Sequence, residues 1–324
     1  MNHTTSLYGT PARTLSYFLL VLSLLATSAA IAAGTPLSRN AASLDPAAIA
    51  AASDTPSNLG GDGVVTIAWP RTDVPVTVDG LKLPPPAGLG SWAAFMPTPD
   101  GAMVMGDTVV FQDEVDAAMD AAFAHGLEVT ALHNHFFYSD PPVFFMHING
   151  QGDPAALARG VKAVWAAIRS VRTQRIVPAH HFPGGVPVPG HLNAMAISSA
   201  LGLTVTDNHG ILKASFGHTS SMGGMAIGGT SGLTTWVAFV GSDRLSVADG
   251  DFIMYGRDVQ VVLHALRRAG FHVVALHNHI IGEKPVVYFT HFWGKGSALD
   301  LARGFKSVIE AQAIAETKYN LKEN

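Results

Sequence analysis

Cysteine is absent from this 324-residue chain, whereas histidine occurs 15 times. Without thiols the protein can form no disulfide bond, and metal sites built on thiolate ligands are excluded. Any metal site must therefore use imidazole and carboxylate groups. Stability has to come from a hydrophobic core, and hydrophobic residues make up 48% of the chain, which is long enough for two ordinary domains.

Charged residues are also scarce, at 14% of the chain, and the formal net charge is −4. The sequence contains no run of lysine or arginine. Proteins that bind nucleic acid contact the phosphates through a basic stripe or patch. Nucleic acid is therefore excluded as a partner.

One apolar run near the N-terminus, LSYFLLVLSLLATS at 15–28, follows the basic residue Arg13 and precedes the small residues AIAAG. This order is typical of a secretory signal peptide, and the run is short for a membrane span. We predict a signal peptide over 1–33 and a flexible segment over 34–43. The mature protein is then periplasmic or secreted, with no membrane span after signal removal.

The chain repeats itself at a spacing of 144 residues, which separates His133 from His277 and Arg159 from Arg303. A period this long indicates duplication of a whole supersecondary unit, with the copies facing each other across a pseudo-twofold axis. We predict repeat 1 over 44–177 and repeat 2 over 192–324. The segment between them, 178–191, is a linker rich in proline and glycine.

Each repeat combines strand-like segments with amphipathic helices. In repeat 1, alternating or β-branched stretches such as GVVTIAW and LEVTALHNHFF predict strands, and QDEVDAAMDAAFAHG predicts a helix that ends near Gly126. Asp45-Pro46 and Asp153-Pro154 predict helix starts. The fold class is α+β: two tandem pseudo-symmetric repeats, each a mainly antiparallel sheet with helices packed on one face.

Three histidines recur at the same spacing in both repeats. Side chains at i and i+2 of a strand share a face, so the two histidines of each His-Asn-His motif project together. A hairpin centred near Ser139 and Asp140 would bring the third histidine beside them from the next strand. Three imidazoles with one open position are the ligand set of a catalytic zinc or non-haem iron site. The predicted metal ligands are His133, His135 and His147, and His277, His279 and His291.

Other candidates are weaker. Glu283 follows His279 at a distance that suits a general base or a fourth ligand, whereas repeat 1 has Ser139 at that point. Asn134 and Asn278 could hydrogen-bond to the histidines in a purely structural polar network. Arg159 and Arg303 are interpreted as solvated helix residues, with binding of an anionic substrate as the alternative. Trp92 and Trp236 are predicted to pack in the core.

The chain resembles the LppY/LpqO-type family of exported bacterial proteins, whose domain has no assigned function. The resemblance rests on GLEVTALHNH, FFMHINGQGDP and LARGVKAV and on VVALHNHIIGEKP, YFTHFWGKG and LARGFKSV. It implies functional roles for the two His-Asn-His motifs and for His147, Glu283 and His291. Family members often carry glutamate in the hairpin loop, and Ser139 departs from that pattern. The resemblance implies no particular reaction.

Three hypotheses follow. The first is an exported zinc-dependent hydrolase, with iron as the second choice of metal, in which Glu283 acts as the base. The second is a non-catalytic periplasmic protein that binds a metal or an envelope ligand. The third is a structural protein whose histidines are core polar groups. The partner is a small-molecule or cell-envelope ligand, and the sequence leaves the substrate and the oligomeric state open.

Overall fold

The computed structural model describes residues 43–323. The predicted signal peptide and most of the predicted flexible segment lie outside the described residues.

Six α-helices form within this part of the chain. Asp45 and Asp153 each accept a hydrogen bond from a backbone amide of the first turn, with proline at the next position, which confirms both predicted helix starts. Gly126 has φ +72° just after the second helix, as the predicted helix end requires. The helices are α1 (Pro46–Ser53), α2 (Val115–Ala124), α3 (Pro154–Gln174), α4 (Ala194–Leu201), α5 (Val259–Arg268) and α6 (Ala298–Glu323).

Seventeen strands are present in the described residues. They are β1 (Ser57–Leu59), β2 (Val65–Pro70), β3 (Thr77–Val78), β4 (Leu81–Lys82), β5 (Gly90–Thr98), β6 (Gly101–Phe111), β7 (Glu128–His133), β8 (Ser139–Asp140), β9 (Val143–Gly152), β10 (Thr206–Asn208), β11 (Ile211–Gly217), β12 (Ser220–Met222), β13 (Met225–Ile227), β14 (Thr234–Gly241), β15 (Ser246–Tyr255), β16 (His272–His277) and β17 (Val287–Gly296).

Both repeats contribute to one antiparallel sheet. Twelve strands follow the order β1-β2-β5-β6-β9-β7-β16-β17-β15-β14-β11-β10, so the second half mirrors the first about the β7–β16 contact. At that contact Leu132 pairs with Leu276. The predicted α+β class with two tandem repeats is confirmed, and the sheet that the repeats share is a feature that the sequence pattern did not indicate.

The helices pack on one face of this sheet. Leu132, Met146 and Ile148 are buried beneath them in the main core, together with Val161 and Trp165 of α3. Two smaller apolar clusters lie on the other face and include Phe145 in repeat 1 and Phe289 in repeat 2. Alternation along β9 and β17 therefore separates a helix-covered face from a face that carries other side chains.

The prediction that Trp92 and Trp236 pack in the core is wrong. Trp92 is 39% exposed and Trp236 is half-buried. On β5 the neighbours Ala93 and Phe95 point into the main core, so Trp92 faces the opposite side. None of the helices within 43–323 is long and apolar enough to cross a membrane.

Candidate metal site

The hairpin register agrees with the sequence prediction. Ala131 pairs with His147, and His133 pairs with Phe145. In repeat 2, Ala275 and His277 pair with His291 and Phe289 in the same way. Because Leu132 and Met146 enter the helix-covered core, the neighbouring histidines project from the opposite face of the sheet.

His135 and His279 reach the site by a different route from the one expected. β7 and β16 end at His133 and His277, so the second histidine of each motif lies beyond the strand. The ring of His135 stacks on Phe145, and that of His279 on Phe289, each with 3.3 Å between ring centroids. Packing on a buried aromatic ring, rather than strand alternation, therefore sets the position of these imidazoles.

The three imidazoles of each repeat come together. Ring centroids of His133 lie 5.1 Å from those of both His135 and His147. In repeat 2 the corresponding distances from His277 are 5.2 Å to His279 and 4.9 Å to His291. The structure thus places all six predicted histidines in two equivalent clusters.

Sequence reasoning missed an aspartate in each cluster. Asp107 on β6 is the cross-strand partner of His147, and Asp251 on β15 is that of His291. The two aspartates are also 144 residues apart, and this repetition is the signal that could have found them. Asp251 Oδ2 lies 3.2 Å from His279 Nε2, whereas Asp107 Oδ1 lies 3.9 Å from His147 Nε2.

Repeat 2 offers the tighter donor set. One donor atom each from Asp251, His277 and His279 lies within 4.8 Å of the others, and within residues 43–323 this is the one group of three or more metal-ligating side chains with that spacing. His291 borders the group, with its Nδ1 3.9 Å from Asp251 Oδ1. Imidazole nitrogen and carboxylate oxygen are ligands that zinc binds at about 2.0–2.2 Å, so donors this close need only small shifts to share an ion.

Several of these donors have no hydrogen-bond partner. His277 Nε2, Asp251 Oδ1 and Asp107 Oδ1 are all buried and unpaired. A buried polar atom without a partner costs about 1–3 kcal/mol, and native structures rarely leave such atoms without a reason. A purely structural polar network would require partners for these atoms, so the arrangement favours a site that receives a ligand.

The surroundings favour the neutral form of one imidazole in each cluster, His135 in repeat 1 and His279 in repeat 2. Burial lowers the pKa of His279, and the neighbouring His277 and His291 lower it further, while Asp251 opposes them. Burial likewise lowers the pKa of His135 in repeat 1. Neutral imidazole is the form that binds a metal ion.

Glu283 and Ser139 occupy equivalent places and make equivalent bonds. Glu283 is buried and its Oε1 accepts a hydrogen bond from the Val287 amide at 3.0 Å. Ser139 Oγ accepts one from the Val143 amide at 3.3 Å. This bond gives Glu283 a structural task in the hairpin loop, and its role as a base stays a prediction.

The asparagines of the two motifs bind backbone rather than histidine rings. Asn134 Nδ2 donates to the Phe136 carbonyl at 3.3 Å, and Asn278 Nδ2 donates to the Val287 carbonyl at 2.9 Å. Both side chains therefore fix the loop that follows the strand and carries the second histidine.

Arg159 and Arg303 are not brought to the histidines. They lie on α3 and α6 in the helix layer, on the other side of the sheet, with side chains 60% and 65% exposed. Their nearest acidic partners are Asp153 and Asp300, which belong to the same helix ends. This placement supports the interpretation as solvated helix residues and separates both arginines from any substrate over the histidines.

The two clusters share one face of the sheet. His133 and His277 each follow the Leu132–Leu276 pair by one residue on antiparallel strands, so they are diagonal neighbours. Such neighbours lie about 7–8 Å apart, with their Cβ atoms somewhat closer. From this crossing the two clusters extend in opposite directions.

Comparison with known families assigns the chain to a family. A family described as Domain of Unknown Function (DUF1259) matches residues 47–167 and again residues 195–311. The chain belongs to this family. The two matches coincide with the two halves of the sheet, so each half is one copy of the family domain. The name LppY/LpqO is not tested by this match.

Solved structures give no closer guide. The chain is similar to a trimeric bacterial microcompartment shell protein, PduB, and to EtuB from Clostridium kluyveri, each at 11% identity, with 81% of this chain and 92% of the other covered and a TM-score of 0.19. The double-ringed trimeric shell protein MSM0271 gives the same identity and TM-score with 72% and 85% covered. Likenesses this weak carry no argument about function or assembly. No curated protein matches the chain.

Proposed function

We propose that the protein binds a divalent transition-metal ion, zinc in the first place and iron in the second, at the cluster of repeat 2. The observation that carries the proposal is the group of Asp251, His277 and His279, whose donor atoms lie within 4.8 Å of one another. Two of its buried atoms, His277 Nε2 and Asp251 Oδ1, have no other partner. The equivalent cluster of repeat 1 is a second, weaker site, because Asp107 lies farther from its histidines.

The geometry leaves room for chemistry at the bound ion. Three protein ligands leave one position of a tetrahedral zinc ion for water, as in catalytic sites, and His279 is 34% exposed toward solvent. Zinc lowers the pKa of bound water to about 7, which would supply a nucleophile for hydrolysis. We therefore propose metal-dependent hydrolysis as the activity, with binding of a metal or envelope ligand without catalysis as the second candidate. Four-coordinate binding that includes His291 would favour that second candidate.

Metal binding can be tested on purified, untagged, metal-stripped protein by titration with Zn²⁺ against a chromogenic chelator. We expect the wild-type protein to bind Zn²⁺. The double variant His277→Ala/His279→Ala should bind it more than about 100-fold more weakly, because loss of an outer-shell group alone costs about 10–100-fold in affinity. His125→Ala is the matched control, because His125 is exposed and lies at the end of α2. Equal, substoichiometric zinc in all three proteins would refute the proposal.

A second measurement distinguishes catalysis from closed binding. The cobalt-substituted protein should give the absorption spectrum of a site with an exchangeable water, and Asp251→Asn should alter that spectrum. A closed shell of four protein ligands, unchanged by added azide, would instead favour binding or a structural role. Glu283→Gln tests the predicted base. The variant removes the carboxylate, whereas its amide oxygen can still accept the hydrogen bond from the Val287 amide.

Export to the periplasm or the exterior remains part of the proposal and rests on the sequence of 1–33. An exported protein without cysteine meets oxidising conditions with no thiol to protect. Cell fractionation with a C-terminal epitope, compared with a variant lacking 1–33, would test it.

A further inference from the structure

The sheet has an opening between the start of β9 and the start of β16. β16 is hydrogen-bonded to β7 at Leu276, so the segment His272–Val274 has no neighbouring strand on that side. A cavity of about 580 Å³ occupies this opening. It is bounded by the beginning of α2, by Phe144 and Trp293, and by linker residues between 179 and 187. Its volume is in the range of small-molecule sites.

Repeat 1 contains the equivalent opening, and a glutamine fills it. Gln260 of α5 accepts a hydrogen bond from the Val129 amide at 3.2 Å and donates one to the Val129 carbonyl at 2.8 Å. One planar carboxamide thus satisfies both outward-facing backbone groups of a residue on the free edge of β7.

Repeat 2 lacks this glutamine. The positions 144 residues from Gln260 and Val129 are Asp116 and Val273. Both oxygens of Asp116 are engaged, one with Arg267 at 2.7 Å and the other with His272 Nδ1 at 2.5 Å. A carboxylate also has no proton to donate to a carbonyl. Among the described residues no side chain is hydrogen-bonded to the backbone of Val273, which lines the cavity.

The walls of the opening are largely apolar. Phe144, Trp293, Val247 and Val186 contribute to them. The linker is held over the cavity by Phe182, whose ring stacks on His272 at 3.8 Å between centroids and whose carbonyl accepts a hydrogen bond from Lys295 at 3.2 Å.

We propose that this cavity binds a small molecule that carries a carboxamide on an apolar body. The carboxamide takes the place that Gln260 has in repeat 1, accepting from the Val273 amide and donating to the Val273 carbonyl. The apolar body lies against Phe144 and Trp293. A carboxylic acid is disfavoured because its anion cannot donate and would face Asp116.

Benzamide is the probe that tests this inference. Titrated into ¹⁵N-labelled protein, it should shift the Val273 amide resonance in a saturable way, whereas benzoate, which is anionic, and acetophenone, which has no donor, should bind at least tenfold more weakly. Asp116→Gln installs in repeat 2 the side chain that closes repeat 1, and we expect it to weaken benzamide binding at least tenfold.

Two further variants keep the test decisive. Val274→Trp fills the same cavity without touching Asp116, and it should also prevent the shift. Gln260→Asp should transfer the response to repeat 1, so that the Val129 amide becomes sensitive to benzamide. A Val273 amide that ignores benzamide, or that responds equally in wild type and in either cavity-closing variant, would overturn the proposal.

Discussion

Glu114 and Asp258 occupy the same place in the two repeats, yet their removal should change stability in opposite directions. Each is fully buried at the N-cap of a helix, and neither caps that helix through its side chain. Glu114 accepts hydrogen bonds from Arg71 at 2.8 and 2.9 Å and lies 2.7 Å from Arg172 Nε. His218 takes the place of Arg71, because their backbone amides bond to the equivalent carbonyls of Leu233 and Leu89, and Glu316 lies 144 residues after Arg172. Repeat 2 therefore holds neither arginine.

Asp258 is correspondingly poorly satisfied. Neither of its carboxylate oxygens makes a well-formed hydrogen bond, and Arg257 Nε lies 3.7 Å from Oδ1. Burial raises the pKa of Asp258, and Arg257, the Tyr255 amide and Gln312 counter this only in part. The ionised form is therefore destabilised in the folded protein.

These contacts set the expected magnitudes. Breaking a buried ion pair costs about 3–5 kcal/mol, and Glu114→Gln should fall at the lower end because Asp73 still pairs with Arg71. Leaving a buried polar group unsatisfied costs about 1–3 kcal/mol, so Asp258→Asn, which removes the charge, should stabilise the fold by about 1 kcal/mol or more at pH 7.

Urea unfolding monitored by tryptophan fluorescence measures both changes in the free energy of unfolding, provided that the variants share the wild-type dependence of this free energy on urea concentration. The pH dependence provides a second check. Because the folded-state pKa of Asp258 is raised, its penalty is present above that pKa and disappears as pH falls below the ordinary value of 3.8. The advantage of Asp258→Asn should therefore shrink on acidification. Destabilisation by Asp258→Asn comparable to that by Glu114→Gln, or an advantage that does not change with pH, would refute this reasoning.

Two further predictions concern the proposed metal site. Gly250→Ala should destabilise the protein by about 1–3 kcal/mol in thermal unfolding, because the new Cβ would lie 2.1 Å from the Trp236 carbonyl oxygen. Gly228→Ala is the control and should be tolerated, because the atom nearest to its new Cβ is 3.6 Å away. Phe289→Leu should weaken zinc binding by about tenfold, since the ring that supports His279 is lost, and unchanged affinity in the chelator titration would show that stacking does not position this ligand.

The local features of the fold could be predicted from the sequence because their causes are local. Asp45-Pro46 and Asp153-Pro154 each start a helix, and a glycine with positive φ follows the end of one at Gly126. The hairpin register followed from the short loop between two strand-like segments. The convergence of His133 with His147 depended on this register, and the structure confirms the register.

The parts that were missed depend on strand pairings between distant segments. Asp107 precedes His147 by 40 residues and reaches it only because β6 pairs with β9. The β7–β16 contact, which joins the repeats into one sheet, connects residues 144 apart through a single leucine pair. The exposure of Trp92 depends on which face of that sheet the helices cover. The residues next to each of these positions in the sequence do not indicate which distant strand will pair with it.

The pattern of divergence between the repeats separates structural from ligand-binding constraints. The hairpin bond survives with different chemistry, from Ser139 in one copy to Glu283 in the other, because any oxygen acceptor can hold the loop amide. The Arg71–Glu114 network is replaced altogether, since packing and charge can be balanced in more than one way. The three histidines and the aspartate are identical in both copies, although His277 and both aspartates keep a buried side-chain atom that has no hydrogen-bond partner. Unpaired buried atoms that stay unchanged in both copies support the proposed metal site, because a metal ion would need these particular donors.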